Sequence, residues 1–261
     1  FSGVAYDAEA DEIYMHDPPT QKMLVFAADG TFLREKSIPS AYHVGASFAL
    51  MGDHLLTSYR VGSDATHYVQ RYDKHSLLPI DTLLPILNDP VSPIFPTSIS
   101  SQQQSVVVDP QLNYKLYYLQ KDQRIDSIAL HFATHQPPAS LIQQRTQLEV
   151  PALKGFDQMH PYVFSYYRPL HTPTHWMLQV VLQDQKHWAL YAQDAKQWQI
   201  FQQIKGDAPH EVWPDQVLTS HGNAFVGVYT KLDKIKSIYT YLGLPTNEDD
   251  LHPVIGLITC R

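Results

Sequence analysis

The sequence holds a single cysteine, Cys260, beside the final Arg261. One thiol cannot close an intramolecular disulfide, so a disulfide-stapled module is excluded. The redox compartment stays open, because a chain with a large core can be exported without any disulfide. Positive charge is also scarce: 19 lysines and arginines stand against 26 aspartates and glutamates, a formal charge of −7. With only 17% charged residues, the chain lacks the basic surface that phosphate neutralisation requires, and no nucleic-acid partner is expected. No apolar run approaches the roughly 20 residues of a membrane-spanning helix, so no transmembrane segment is expected within it. Glycine numbers only 11, and the motifs built on it are missing: there is no Gly-x-Ser-x-Gly, no Walker loop and no dinucleotide fingerprint. No cofactor is expected on these grounds.

Core-forming residues are plentiful. Hydrophobic residues make up 44% of the 261, aromatic residues 11%, tyrosine alone 16 residues and proline 19. This composition excludes wholesale disorder. Helical periodicity is hard to find, whereas short β-branched and aromatic runs separated by turn residues recur throughout. The clearest unit is the first. Ser2–Tyr6 reads as a strand, Asp7–Asp11 as a polar turn, Glu12–His16 and Lys22–Phe26 as alternating strands, and Asp29-Gly30 as a hairpin signal before Thr31–Ile38.

Four strands in about 40 residues is the signature of one propeller blade. Four further sets are predicted. The second is Ala46–Leu50, His54–Arg60, His67–Tyr72 and Leu77–Leu84. The third is Pro96–Ser100, Ser105–Val108, Lys115–Gln120 and Arg124–Phe132. The fourth is Tyr162–Tyr167, His175–Gln183, His187–Gln193 and Trp198–Ile204, and the fifth Gln216–Ser220, Ala224–Lys231, Lys236–Leu242 and Val254–Thr259.

Third strands thus begin near Lys22, His67, Lys115, His187 and Lys236, and three of the four successive intervals agree closely. The odd interval contains the polar, proline-bearing stretch Thr134–Gly155, read as an inter-blade insertion with helix over Ala139–Leu148. A β-sandwich would not predict regular four-strand groups. A parallel α/β fold needs crossover helices that are not evident. No Trp-Asp or Gly-Gly dipeptide occurs, which disfavours WD40 and kelch blades. The expected fold class is all-β: one β-propeller domain over residues 1–261, with four-stranded antiparallel blades.

The first blade reads Val4-Ala-Tyr-Asp7, Asp11-Glu-Ile-Tyr-Met-His-Asp17, Lys22-Met-Leu-Val-Phe26 and Asp29-Gly-Thr-Phe-Leu33. It resembles an NHL-type blade and, more narrowly, the six-bladed β-propeller family of exported Bacteroidota proteins. The tail Asn247-Glu-Asp-Asp-Leu-His-Pro-Val-Ile255 is similar to that family's acidic run and apolar last strand, with His252 in place of an asparagine. The resemblance implies a six-bladed ring, export to the periplasm or outer-membrane surface, and often a lipid anchor upstream. Five blades are visible, so a further blade before Phe1 is expected; a closed five-bladed ring is the alternative. The family has no agreed catalytic residues, so none is carried over.

Histidine is abundant, at 14 residues, and two pairs sit four apart: His131/His135 and His171/His175. On a strand such residues are separated by about 13 Å, too far to share a metal. No metal site is predicted from either pair. The dipeptides Tyr59-Arg60 and Tyr167-Arg168 each precede a His-aromatic pair, His67-Tyr68 and His175-Trp176, by the same spacing. Arginine forks and aromatic faces at strand ends suit carboxylate or sugar ligands; equally, tyrosine could pack between blades while arginine caps a hairpin. Trp213, before Pro214-Asp215, is placed in an inter-blade loop at a pocket mouth or as a wedge between sheets. Glu248-Asp249-Asp250 lacks the alternating ligands and glycine of a calcium loop. The candidate ligand-facing residues are Tyr59, Arg60, Tyr167, Arg168, His171 and Trp213.

Without a catalytic motif, the sequence favours a non-catalytic propeller that binds a protein or carbohydrate ligand at one face. The alternative is a carbohydrate-active hydrolase or lyase with a central-channel site.

Overall fold

A computed structural model describes residues 3–17, 19–20, 22–37, 48–58, 66–86, 97–102, 105–110, 112–148, 150–201, 216–246 and 252–259. The chain divides into two compact units, one of Phe1–Leu130 with Pro137–Phe156 and one of His131–Gln136 with Asp157–Arg261.

The first unit carries three antiparallel sheets of strands consecutive in sequence. The first sheet is β1 (Gly3–Asp7), β2 (Glu12–Asp17), β3 (Lys22–Ala27) and β4 (Phe32–Ser37). Its alternation is the predicted one, with Tyr14 and His16 of β2 buried and their neighbours half-buried. The Asp29-Gly30 turn forms as expected: Gly30 takes a φ of +86° and the Asp29 carboxylate accepts the Thr31 N–H at 2.8 Å. The second sheet is β5 (Phe48–Met51), β6 (His54–Ser58), β7 (His67–Asp73) and β8 (Pro79–Pro85). The third is β9 (Ser98–Gln102), β10 (Ser105–Asp109), β11 (Lys115–Gln120) and β12 (Ile125–Ala129).

These sheets stack face on face. Ala5, Tyr14, Met23 and Val25 of the first sheet pack against Phe48, Leu55 and Tyr72 of the second, with Leu77 from the β7–β8 turn. The opposite face of the second sheet places Ala49, Leu56 and Tyr68 against Ile99, Val106 and Leu119 of the third. Leu55 and Leu56 therefore serve opposite interfaces, which is why β6 is buried continuously from Leu55 to Ser58 instead of alternating. At Gly3 a Cβ would lie 3.0 Å from the Phe48 ring, so glycine lets β1 approach β5.

The predicted insertion is helical over α1 (Ala139–Thr146) and again over α2 (Val150–Met159), which continues past Gly155. Leu153 and Phe156 give α2 its buried side.

The second unit carries the fourth sheet, β13 (Ser165–His171), β14 (His175–Leu182), β15 (Gln185–Ala192) and β16 (Gln197–Phe201). Here β13 starts later and runs further than the predicted Tyr162–Tyr167. A row of rings crosses this sheet, because His171 pairs with Trp176, Trp176 with Tyr191, and Tyr191 with Trp198. The last sheet has three strands: β17 (Gln216–His221), β18 (Ala224–Tyr229) and β19 (Val254–Thr259). Val217, Phe225 and Ile258 pack it against Leu170 and Met177 of the fourth sheet.

The predicted strand Lys236–Leu242 is instead the end of a helix, α3 (Leu232–Tyr241). Leu232, Ile235 and Tyr239 recur at helical spacing, Ile235 is buried, and Asp233 sits in the first turn, where a carboxylate favours the helix N-terminus. The stop is a Schellman cap. Gly243 takes a φ of +67°, its N–H bonds the Thr240 carbonyl at 3.2 Å, and the Leu244 N–H bonds the Tyr239 carbonyl at 2.8 Å. With that segment helical, β19 pairs directly with β18. The fold class is all-β, a propeller type built from consecutive antiparallel blades.

Candidate ligand-binding site

The turn ends of the first three sheets converge on a cleft of about 110 Å³. The β1–β2 turn contributes Tyr6, Asp7, Ala8 and Glu9; the β5–β6 turn, Leu50, Met51 and Gly52; the third sheet, Ser101, Ser105 and Lys121. No two of these segments are near in sequence. Stacking of the sheets brings them together.

Charge pins this end of the unit. The Asp7 carboxylate accepts the N–H groups of Glu9 and Ala10 through one oxygen, and its other oxygen meets the Lys74 ammonium at 2.6 Å. Both partners of that pair are buried, at 8% and 6% exposure. Burial alone would push the Asp7 carboxyl up, but the Lys74 ammonium and the two backbone N–H groups together hold it below the usual carboxylate range. Lys74 also donates its backbone N–H to the Asp53 carbonyl at 2.8 Å, tying the β7–β8 turn to the β5–β6 turn. Across the cleft, Lys121 from the β11–β12 turn pairs with Glu9. The Ser101 hydroxyl bridges to the Leu50 backbone, accepting its N–H at 3.3 Å.

The rim is amphipathic. Tyr6 is 54% exposed and donates its hydroxyl to Asp11 at 2.6 Å. That hydrogen bond, with a smaller contribution from burial, raises the phenol above its ordinary value. The hydroxyl bond anchors a ring that is more than half exposed. A fixed aromatic ring, a cation, carboxylates and hydroxyls in one cleft can bind a polar group by stacking and hydrogen bonding. Asp7, held ionised by a buried lysine, is too weak a base for proton abstraction near neutrality.

Of the residues singled out from sequence, Tyr59, Arg60 and Trp213 lie outside the described residues. Tyr167, Arg168 and His171 all lie on β13, and Tyr167-Arg168 sits inside the strand rather than at its end. The register of β13 against β14 shifts between Tyr167 and Leu170. Arg168, with a φ of +53°, is exposed at that bulge. A bulge of this kind re-aims side chains on an edge strand. His171 lies 4.6 Å from the Trp176 ring, centroid to centroid. Burial lowers its pKa, which keeps the imidazole neutral at pH 7.

The second half of the sequence echo has a structural cause. In Thr66-His67-Tyr68 and Thr174-His175-Trp176, the threonine hydroxyl bonds the histidine Nδ1 at 2.8 and 2.9 Å, and the aromatic residue is buried. Both triplets open a strand, β7 and β14. His131 and His135 are engaged separately, His131 Nδ1 with the Ala133 N–H and His135 Nδ1 with the Pro161 carbonyl. Among the described residues no three His, Cys, Asp or Glu side chains are grouped to hold a metal ion.

No known family profile matches the sequence. No curated protein matches it either. Solved structures do. A crystal structure of a Bacteroides fragilis protein, named as predicted to be exported, superposes with a TM-score of 0.71 at 15% identity, covering 100% of this chain and 77% of that one. The WD40 repeats of RRP9 superpose with a TM-score of 0.44 at 11% identity, covering 87% of this chain and 58% of that one. At such identity the Bacteroides likeness is one of fold, and it runs the whole length of this chain.

Proposed function

We propose that the protein is a non-catalytic β-propeller that binds a protein or carbohydrate ligand through the turn ends of its blades. The observation that carries this reading is the cleft shared by three successive sheets, with the exposed Tyr6 ring, the Glu9–Lys121 pair and the serines at its wall. At about 110 Å³ it falls well short of the roughly 300–1,000 Å³ of pockets that enclose a whole small molecule. It suits one protruding group of a larger ligand, such as a sugar unit or a polar side chain. In the second unit, exposed Arg168 and its neighbours Tyr167 and His171 form a separate proposed contact, considered by itself, for an anionic group.

The first-blade motif, and the likeness to a protein named as predicted to be exported, support a six-bladed exported protein of the periplasm or outer-membrane surface.

A thermal-shift screen of the full chain against glycans, polar peptides and divalent metals tests the binding reading, because a ligand that binds only the native state raises the melting temperature. A glycan or peptide hit that is lost in Lys121→Ala and Tyr6→Ala supports the cleft. A hit unaffected by both variants moves the site elsewhere. Turnover of a bound glycan would replace the binding reading with a carbohydrate-active enzyme.

A further inference from the structure

The Glu9–Lys121 pair joins the first and third sheets across the turn of the second. Glu9 stands on the β1–β2 turn and Lys121 on the β11–β12 turn, while the second sheet is stacked between those two. The pair therefore spans the β5–β6 turn, where Met51 and Gly52 line the cleft. A Cβ at Gly52 would meet nothing within 4 Å, so this turn does not fill the space. Glu9 engages Lys121 through Oε1 alone. At the far end of the β1–β2 turn, Asp11 accepts the Tyr6 hydroxyl and is matched by no cation among the described residues. The walls are of two kinds. The Tyr6 ring, Ala8 and Leu50 are apolar, whereas the hydroxyls of Ser101 and Ser105 can each donate and accept.

We propose that the cleft takes a neutral sugar: a pyranose unit of an uncharged glycan, with adjacent hydroxyls between Glu9 and Lys121 and a C–H face on Tyr6. This rests on the cleft being the binding site. Charge balance selects the class of ligand. A neutral diol donates one hydroxyl to the Glu9 carboxylate and accepts the Lys121 ammonium with the next, so both charges keep a charge-assisted hydrogen bond. A ligand carboxylate would draw Lys121 from Glu9 and leave two carboxylates, Glu9 and Asp11, without a cation on one turn. A ligand ammonium would take Glu9 and leave Lys121 unpaired beside it. Uncompensated charges of this kind act against the wrong ligand as strongly as good contacts favour the right one. Both partners of the pair are exposed, so opening it for a diol costs little. The apolar and hydroxyl-bearing walls match the two characters of a pyranose, whose C–H face lies on an aromatic ring while its rim of hydroxyls seeks donors and acceptors.

Saturation-transfer NMR on the full chain tests this, with the methyl glycosides of glucose, galactose and mannose as probes. Each is set beside the uronic-acid counterpart that differs from it only by a carboxylate at C6. At least one neutral glycoside should bind, with saturation strongest on its ring C–H protons, and its uronide should bind about tenfold more weakly. Tyr6→Ala should abolish the signal and Tyr6→Phe should keep it. Glu9→Gln leaves Lys121 without its anion and should erase the preference for the neutral sugar. Uronides that bind as tightly as the neutral glycosides, or a preference that survives Glu9→Gln, overturn the proposal. A chain that binds no neutral glycoside overturns it too; a polar peptide whose binding is lost in Tyr6→Ala would then keep the cleft as the site of a protein ligand. Sugar binding unchanged in both Tyr6→Ala and Glu9→Gln would overturn the cleft and the sugar together.

Discussion

In the first sheet the outer strand β4 carries Arg34, which reaches back across the sheet to Glu12 with both guanidinium branches, at 2.6 and 2.7 Å. In the last sheet the outer strand β19 carries no charge, and its large side chains Ile255 and Leu257 stand in solvent. The two sheets share antiparallel hairpins and an apolar inner face packed on a neighbour. They differ at the edge. Arg34 covers buried Tyr14 and Val25, neutralises Glu12 and makes the edge costly for another strand to approach, because pairing would strip water from those charges. A fold of repeated blades thus distinguishes its sheets by their outer strands.

The comparison predicts large losses where charge is buried and small ones at the open edge. Lys74→Met should be the most damaging change, at roughly 3–5 kcal/mol, because it leaves the Asp7 carboxylate buried without its cation. Chemical denaturation at pH 7 measures it. Asp7 has a folded pKa below its unfolded one, so its contribution is fully present above the unfolded value of about 3.9 and is lost as pH falls through the lower folded value. The gap between wild type and Lys74→Met should therefore narrow in acid. A gap independent of pH would assign Lys74 a packing role instead.

Leu56→Ala should follow at about 2–5 kcal/mol, since Leu56 is fully buried between the second and third sheets. Ile255→Lys, on the exposed face of the last sheet, should stay within about 0.5 kcal/mol. Near-equal losses in these two variants would break the contrast between stacked and open sheet faces.

Much of the architecture is legible because a strand in a stacked sheet writes its burial into every second residue, as Tyr14 and His16 do, and because a turn such as Asp29-Gly30 needs a positive φ. Lys236–Leu242 misleads for a physical reason. Its isoleucine and tyrosines fit a strand as well as a helix over so short a window, and the deciding signal is the Gly243 cap with Pro245 beyond it. The bulge at Arg168 has no glycine to announce it. The cleft is least legible. Tyr6, Met51, Ser105 and Lys121 meet only because three sheets stack in order, and no local pattern encodes which turns will be neighbours.

Two smaller effects test how far surface charge shapes the first sheet. Glu12→Gln removes a pair whose arginine is part-exposed, at 36% against 15% for Glu12, and should cost about 1 kcal/mol. It should also act on Tyr14, whose phenol is pushed up to about 12 by burial first and then by its hydrogen bond to Glu12 at 2.9 Å. In the variant Tyr14 should ionise at lower pH yet stay above its ordinary value, because burial persists. Spectrophotometric titration against Tyr14→Phe isolates that one phenol among 16.

Lys121→Ala is the mildest change. Lys121 and Glu9 are 48% and 68% exposed, and a pair so well solvated contributes about 0.5 kcal/mol or less. Its stability should match wild type at 0.15 M salt while ligand binding at the cleft falls. If melting temperature and binding fall together, Lys121 holds the turns in place. If binding falls alone, the ammonium meets the ligand, and this end of the first three sheets is a recognition surface whose rigidity comes from Lys74 and Asp7 beneath it.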